Sequence, residues 1–308
     1  MTTTDPVQSA NRLGLRRVFY GPSGLRAGWR ALGFFILLFA AVESQANYIL
    51  KVEHDIFGVG ETPGGVLLEK ALLFGCALVL TVIFGSFERR SLAEYGLPLR
   101  KIFGAEFWAG ALWGFGILTV NIALMILSHA YSFGTIALSV IAILKYGFLW
   151  AVGFLAVGIA EEFAFRGYLQ YTLTRGMGFW PASVLTSILF GLIHLDVQAP
   201  WPAIVNIAVL ALFVCMALHR TGNLWFRIGS HAAVDWGEAF FYSTSHTKVE
   251  GHLFNASLHS SKWLSGGDAG PEGNIFNVFL VAAGIFLLSR VYPQVKYPTA
   301  IYEISLHD

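Results

Sequence analysis

Charge is what this sequence has least of. Asp, Glu, Lys and Arg make up only 13% of its 308 residues, about half the roughly 25% of a soluble globular domain. That scarcity excludes a disordered chain and an ordinary cytosolic enzyme. With a net charge of +1, no global field recruits nucleic acid, and no nucleic-acid partner is expected. The two cysteines, Cys76 and Cys215, both lie inside apolar runs and form no Cys-x-x-Cys. A disulfide framework and a thiolate zinc site are therefore not expected. Residues 1–28 carry Arg12, Arg16, Arg17 and Arg26 but no apolar core, so nothing in them reads as a cleavable signal peptide. No repeat of 20–50 residues is visible.

What the chain has in abundance is apolar sequence. It is 56% hydrophobic with a mean hydropathy of +0.62, and the apolar residues fall in long blocks. A bilayer core about 30 Å thick takes about 20 apolar residues per helix. The runs lie near 29–50, 66–87, 104–128, 136–175, 181–196, 201–219, 223–243 and 274–290. They predict an all-α polytopic membrane protein of about eight transmembrane helices, a single domain over 29–290 embedded in the lipid bilayer. The fourth run is too long for one span, and either projects from the membrane or breaks near Gly147, Gly153 or Gly158. If each run crosses once from a cytoplasmic start, thirteen Arg and Lys fall on the inside and only Lys51, Lys248 and Lys262 outside. The positive-inside rule then makes the tails 1–28 and 291–308 both cytoplasmic, in a multi-pass protein of the cell membrane. The outside loop 244–273 holds His246, His252 and His259, which read either as a metal site or as scattered polar residues of a solvated loop.

Ionisable residues inside a span are expensive, at about 2.5–3.5 kcal/mol each on insertion scales. Lys70, Glu106 and Arg227 sit near span ends, where they can snorkel to the headgroups. Glu43 and Lys145 lie deeper and either pair or face a cavity. Three groups remain. In Glu161-Glu162-Phe-Ala-Phe-Arg166, Glu162 and Arg166 share a helix face and form an ion pair, while Glu161 is turned away by about 100° with no local partner. A free carboxylate there suits a general base. On spacing alone, a paired helix end at the surface accounts for the cluster equally well. His194 ends Phe190-Gly-Leu-Ile-His194 on an otherwise apolar helix, as a catalyst or as a hydrogen-bonded core histidine. His231-Ala-Ala-Val-Asp235 places two polar side chains on one face, for metal ligation, for hydrogen bonding to a common point, or to tie helices together. The turn Arg175–Pro181 is centred near 178. Glu161 and His194 are 17 and 16 residues from it, so an antiparallel hairpin holds them at similar depth, roughly 25 Å from the turn. The match for His231, about 13 Å along its helix from the turn near 220–223, is poorer.

Glu-Glu-x-x-x-Arg, Phe-x-x-x-His and His-x-x-x-Asp on successive spans resemble the signature of the CPBP family. That family comprises the type II CAAX prenyl endopeptidases and the bacteriocin-processing or Abi proteins. Leu92-Ala-Glu-Tyr-Gly-Leu97, Phe165-Arg-Gly-Tyr-Leu-Gln170 and Gly270-Pro-Glu-Gly273 look similar too, so the likeness spans roughly 90–290. The resemblance implies an intramembrane endopeptidase whose helices surround a polar cavity open to the cytoplasm. It implies that Glu161 and His194 position and deprotonate a water, and that His231, helped by Asp235, stabilises the oxyanion. Glu162, Arg166 and Phe190 take supporting roles. Asp235 stands where some members have Asn, and a carboxylate donates a hydrogen bond only when protonated, so here it orients His231 instead. The substrate class is a peptide or prenylated protein, or a bacteriocin-like precursor. A mechanism with no cofactor is the first choice. Glu161, His194 and His231 form the alternative ligand set for zinc or another divalent metal. Other classes are a non-catalytic scaffold or bacteriocin-immunity protein, which loss of Glu161 or His194 would favour, and a transporter, which inverted repeats would favour.

The charge asymmetry makes a direct prediction. Reporter fusions at residues 10 and 300 are expected to read out as cytoplasmic, and a periplasmic signal from either one overturns the topology.

Overall fold

The structure, a computed structural model, describes residues 17–22, 24–57, 61–193, 201–244 and 249–297. It is 78% helical with almost no sheet. The main helices are α1 (Ala27–Phe57), α2 (Pro63–Glu88), α3 (Ala105–Leu127), α4 (Val140–Ala164), α5 (Gln170–Met177), α6 (Phe179–Ile193), α7 (Trp201–Thr221), α8 (Trp225–Trp236) and α9 (Ile275–Val291). Among the described residues, each of the eight apolar runs is mainly helical. Among the described residues, five stretches are long and apolar enough to cross a membrane: α1, α2, α3, the α4–α5 stretch Val140–Met177, and Gly267–Val291 around α9. Within α6 and α7, Phe179–Ile193 and Val209–Thr221 are shorter apolar segments. The chain is a polytopic all-α membrane protein.

Local chemistry sets the helix ends. Thr62 Oγ1 caps α2 by accepting from the Gly65 N–H at 3.1 Å, with Pro63 in the first turn. Asn274 Oδ1 caps α9 through the Asn277 N–H at 2.9 Å. Gly178 (φ 87°) and Gly222 (φ 75°) make the turns α5–α6 and α7–α8, close to where the sequence places them. Between α2 and α3, Ser91 and Glu94 form a capping box on the turn Leu92–Tyr95. The Ser91 backbone N–H, with Arg90, holds the Glu94 carboxyl below its ordinary value.

The long fourth run does break, but not at the expected glycines. Gly147, Gly153 and Gly158 stay within regular helix; at Gly147 and Gly158 the missing side chain makes room for the Phe240 ring and the Ile228 carbonyl, while a Cβ on Gly153 would make only an ordinary contact with the Pro63 carbonyl. The break is a π-helical turn over Phe165–Leu169, with Gly167 at φ −74° and ψ −113°, outside the helical region.

The described part of the loop 244–273 is packed and hydrogen-bonded rather than merely solvated. Tyr131–Ser132 pairs antiparallel with Ser257–Leu258. Trp150 Nε1 donates to the Glu250 carbonyl at 2.8 Å, and Asn121 Nδ2 to that of Pro271 at 3.0 Å. His252 Nδ1 contacts the Val249 carbonyl at 3.1 Å, and His259 Nε2 the Ser132 hydroxyl at 3.0 Å. His246 lies outside the described residues, and among the described residues no cluster of metal-ligating side chains is present. Glu43 and Lys145 do not pair in the interior. Both are exposed, with Lys145 Nζ 4.8 Å from the centre of the Tyr146 ring.

The closest helix contact joins α3 to α8. A Cβ on Gly110 would lie 1.8 Å from the Phe226 carbonyl oxygen, and one on Gly114 2.4 Å from that of Ser230. From the other side, a Cβ on Gly229 would meet the Phe107 carbonyl oxygen at 2.1 Å. Gly110-x-x-x-Gly114 is a small-residue seam of the kind that lets membrane helices touch backbone to backbone. It fixes α8 two residues before His231. Gly110→Ala should therefore lower the thermal midpoint by the equivalent of about 1–3 kcal/mol. Gly116→Ala on the same helix, where a Cβ meets nothing within 4 Å, should not. Equal Tm values for the two variants in detergent would refute the seam.

Candidate active site

The last turn of α4 and the middle of α8 carry the polar groups that the sequence singles out. Glu162 is fully buried. Its Oε2 accepts from Arg227 Nε at 2.6 Å, and its Oε1 lies 2.8 Å from His231 Nδ1. The expected i,i+4 partner is looser, with Arg166 Nε 3.8 Å from Oε2. Arg166 is itself 1% exposed, and its three guanidinium nitrogens make no hydrogen bond among the described residues. Its guanidinium instead stacks over Phe190, 4.6 Å from the ring centre, and faces Phe165 at 5.6 Å. Phe190 stands edge-on to Phe165 and to His231, with ring centroids 5.3 and 6.4 Å away.

Glu161 does not lack a partner. Lys70 of α2 places its ammonium 3.0 Å from Glu161 Oε1 while also holding Glu69 at 2.8 Å. Glu161 Oε2 lies 3.8 Å from His231 Nε2, and Asp235 Oδ2 lies 3.5 Å from that same nitrogen. His231 is thus set between carboxylates, with Nδ1 towards Glu162 and Nε2 towards Glu161 and Asp235. A hydrogen bond at Nδ1 determines which way Nε2 points. The side chains of Glu161, His231 and Asp235 are 10%, 14% and 23% exposed against 0% for Glu162. Glu162 is sealed and the other three border accessible space.

The structure therefore brings together Glu161, Glu162, Arg166, Phe190, His231 and Asp235. His194 lies outside the described residues. Two basic residues assigned to the headgroup region belong to this cluster instead. Lys70 pairs with Glu161, and Arg227 is 5% exposed in contact with Glu162. Their signal in the sequence is their position. Arg227 is four residues before His231, on the same helix face, and Lys70 stands several residues inside its helix.

Removing one member of a buried ion pair costs about 3–5 kcal/mol, because the partner stays buried and uncompensated. Glu162→Ala strands Arg227 and is expected to lower thermal stability by that order. Glu161→Ala leaves Lys70 still paired with Glu69 and should be much milder. Thermal unfolding of both variants in detergent checks this, and the reverse order of Tm values would show that Glu162 is not the structural carboxylate.

The comparisons with known proteins bear on this same stretch. Residues 143–237 match the family model for Rce1-like type II CAAX prenyl endopeptidases. The matched segment runs from the first turn of α4 to the end of α8 and contains Glu161, Glu162, Arg166, Phe190, His231 and Asp235. Comparison with curated proteins and with solved structures yields no match. Over residues 143–237, just under a third of the chain, the protein is thus similar to the Rce1-like type II CAAX prenyl endopeptidases, and that likeness, together with its membrane-spanning helices, supports a CPBP-type intramembrane endopeptidase.

Proposed function

We propose that the chain hydrolyses a peptide bond close to the lipid-modified cysteine of a CAAX-type terminus, with Glu161 as general base and His231 as oxyanion donor. The single observation that supports this best is the facing pair Glu161 Oε2 and His231 Nε2, 3.8 Å apart and both partly accessible. A purely binding role requires neither group to face the other.

In this scheme Glu161 takes a proton from a water, and the hydroxide oxygen bonds to the scissile carbonyl carbon. Its π electrons move onto the carbonyl oxygen, which the Nε2–H of a His231 imidazolium stabilises. Collapse of the tetrahedral intermediate breaks the C–N bond, and the proton held by Glu161 passes to the leaving amine. Glu162 holds Nδ1 so that Nε2 points at the reacting atoms, and Asp235 favours a proton on Nε2. Lys70 orients the Glu161 carboxylate. His194 takes its water-positioning role from the motif alone.

A zinc ion on Glu161, His194 and His231 is the competing scheme. The donor set fits it poorly. The ammonium of Lys70 already lies 3.0 Å from Glu161 Oε1, and a second cation on that carboxylate would repel it. No step is assigned to a metal.

The test is cleavage of an internally quenched farnesyl-CAAX peptide by the purified protein in nanodiscs. Glu161→Gln is expected to lower kcat by about 10²–10⁴-fold, the usual size of a general-base contribution, with Tm nearly unchanged. Activity should survive exhaustive chelation. Full activity in Glu161→Gln overturns the base assignment. Loss on chelation, with recovery on one equivalent of zinc, overturns the metal-free mechanism.

A further inference from the structure

A second polar site lies at the end of the bundle where α1 begins and α2 and α5 end. A cavity of about 1110 Å³ opens there, and four arginines line it: Arg26, Arg30, Arg90 and Arg175. Glu88 is the one acidic residue in its wall. Arg30 pairs with Glu88 at 2.7 Å, and Arg90 lies 3.8 Å from the same carboxylate while binding Glu94 at 2.6 Å. Arg26 and Arg175 make no ion pair among the described residues. Arg26 Nε is held by the Arg17 carbonyl at 2.9 Å, and Arg30 Nε is buried with no hydrogen-bond partner among the described residues. The wall is therefore strongly positive. Its guanidinium groups offer forked donors that suit a phosphate.

Part of the remaining wall is apolar and faces outward. Phe87 is 85% exposed, Leu32 45% and Met177 42%. On a helix bundle read as membrane-spanning, such side chains meet acyl chains. Trp29, also in the wall, is a residue type that concentrates at the membrane–water interface. Phosphate-binding donors at the mouth and hydrocarbon-facing side chains along the flank form one amphipathic groove. A soluble phosphate satisfies only the first half.

We infer that this groove binds the headgroup of an anionic phospholipid, with its phosphate among Arg26, Arg30 and Arg175 and its chains along Leu32, Phe87 and Met177. The bound lipid bridges the start of α1 to the end of α5. Basic pockets between transmembrane helices recognise anionic headgroups in this way. The site is separate from the cluster around Glu161, which lies 16 residues up the chain from Met177.

The experiment is native mass spectrometry of the full chain released from nanodiscs of phosphatidylglycerol and phosphatidylcholine in equal amounts. Adducts are expected to favour phosphatidylglycerol. The double variant Arg26→Gln/Arg175→Gln, which breaks no ion pair, should lower that preference by about tenfold. Arg100→Gln, a basic residue outside the groove, should leave it unchanged. The single variant Arg175→Gln serves as the readout where the double variant fails to fold. Millimolar inorganic phosphate should not displace the lipid. Equal adducts of the two lipids, an unaltered preference in the Arg175 variants, or an equal loss in Arg100→Gln would each overturn the site. Displacement by inorganic phosphate would reassign it to a soluble anion and overturn the lipid.

Discussion

The structure depends on one buried carboxylate. Glu162 has no access to solvent, and an isolated ionised carboxylate in that position would be prohibitively costly. Its charge is tolerated because Arg227 and His231 of α8 reach it at 2.6 and 2.8 Å, with Arg166 at 3.8 Å from its own helix. Such a cluster contributes little net stability compared with an apolar core, but it is intolerant of any missing member. What it supplies is specificity. α4 and α8 have a single relative rotation in which all these groups meet, and that rotation aims His231 Nε2 at Glu161 and Asp235. The facing of His231 and Glu161 is a consequence of satisfying Glu162.

Bringing the helices that close follows from what surrounds the cluster. Lipid gives no hydrophobic drive for one helix to seek another, so contact relies on packing and small residues. The glycines of α3 and α4 supply it. Gly110 and Gly114 meet the carbonyls of Phe226 and Ser230, while Gly158 meets that of Ile228. α8 is thus gripped from two sides immediately before His231. It is short, with Arg227, His231 and Asp235 in 12 residues, and its polar face is covered by protein rather than lipid. The π-helical turn at Gly167 follows directly after Arg166, letting α5 leave the axis of α4 and lie against α1 and α6.

Charges are handled differently at the two places where they gather. In the middle of the bundle every carboxylate of the cluster has a basic neighbour within 4 Å, so little net charge remains. At the end where α1 begins and α5 stops, arginines exceed acidic groups. The first arrangement suits a water-dependent reaction in a low-dielectric setting, where small displacements of a proton are strongly felt. The second suits anchoring to an anionic surface.

Helix type and the turns at Gly178 and Gly222 were legible in the sequence, because each depends on neighbours a few residues away; the number of helices long enough to span was not. The Glu-Glu-x-x-x-Arg and His-x-x-x-Asp spacings, likewise local, identified which side chains share a face. The break at Gly167 was not legible. Gly147, Gly153 and Gly158 are equally plausible from composition, and only the helices packed against them show that they are contact points. Nor was the partner of each charge. Lys70 and Arg227 look like residues that snorkel until the tilt and rotation of α2 and α8 turn them onto Glu161 and Glu162. Local sequence determines what a helix can present. Which groups meet is decided by backbone approach between helices far apart in the chain, and no spacing within one helix encodes that.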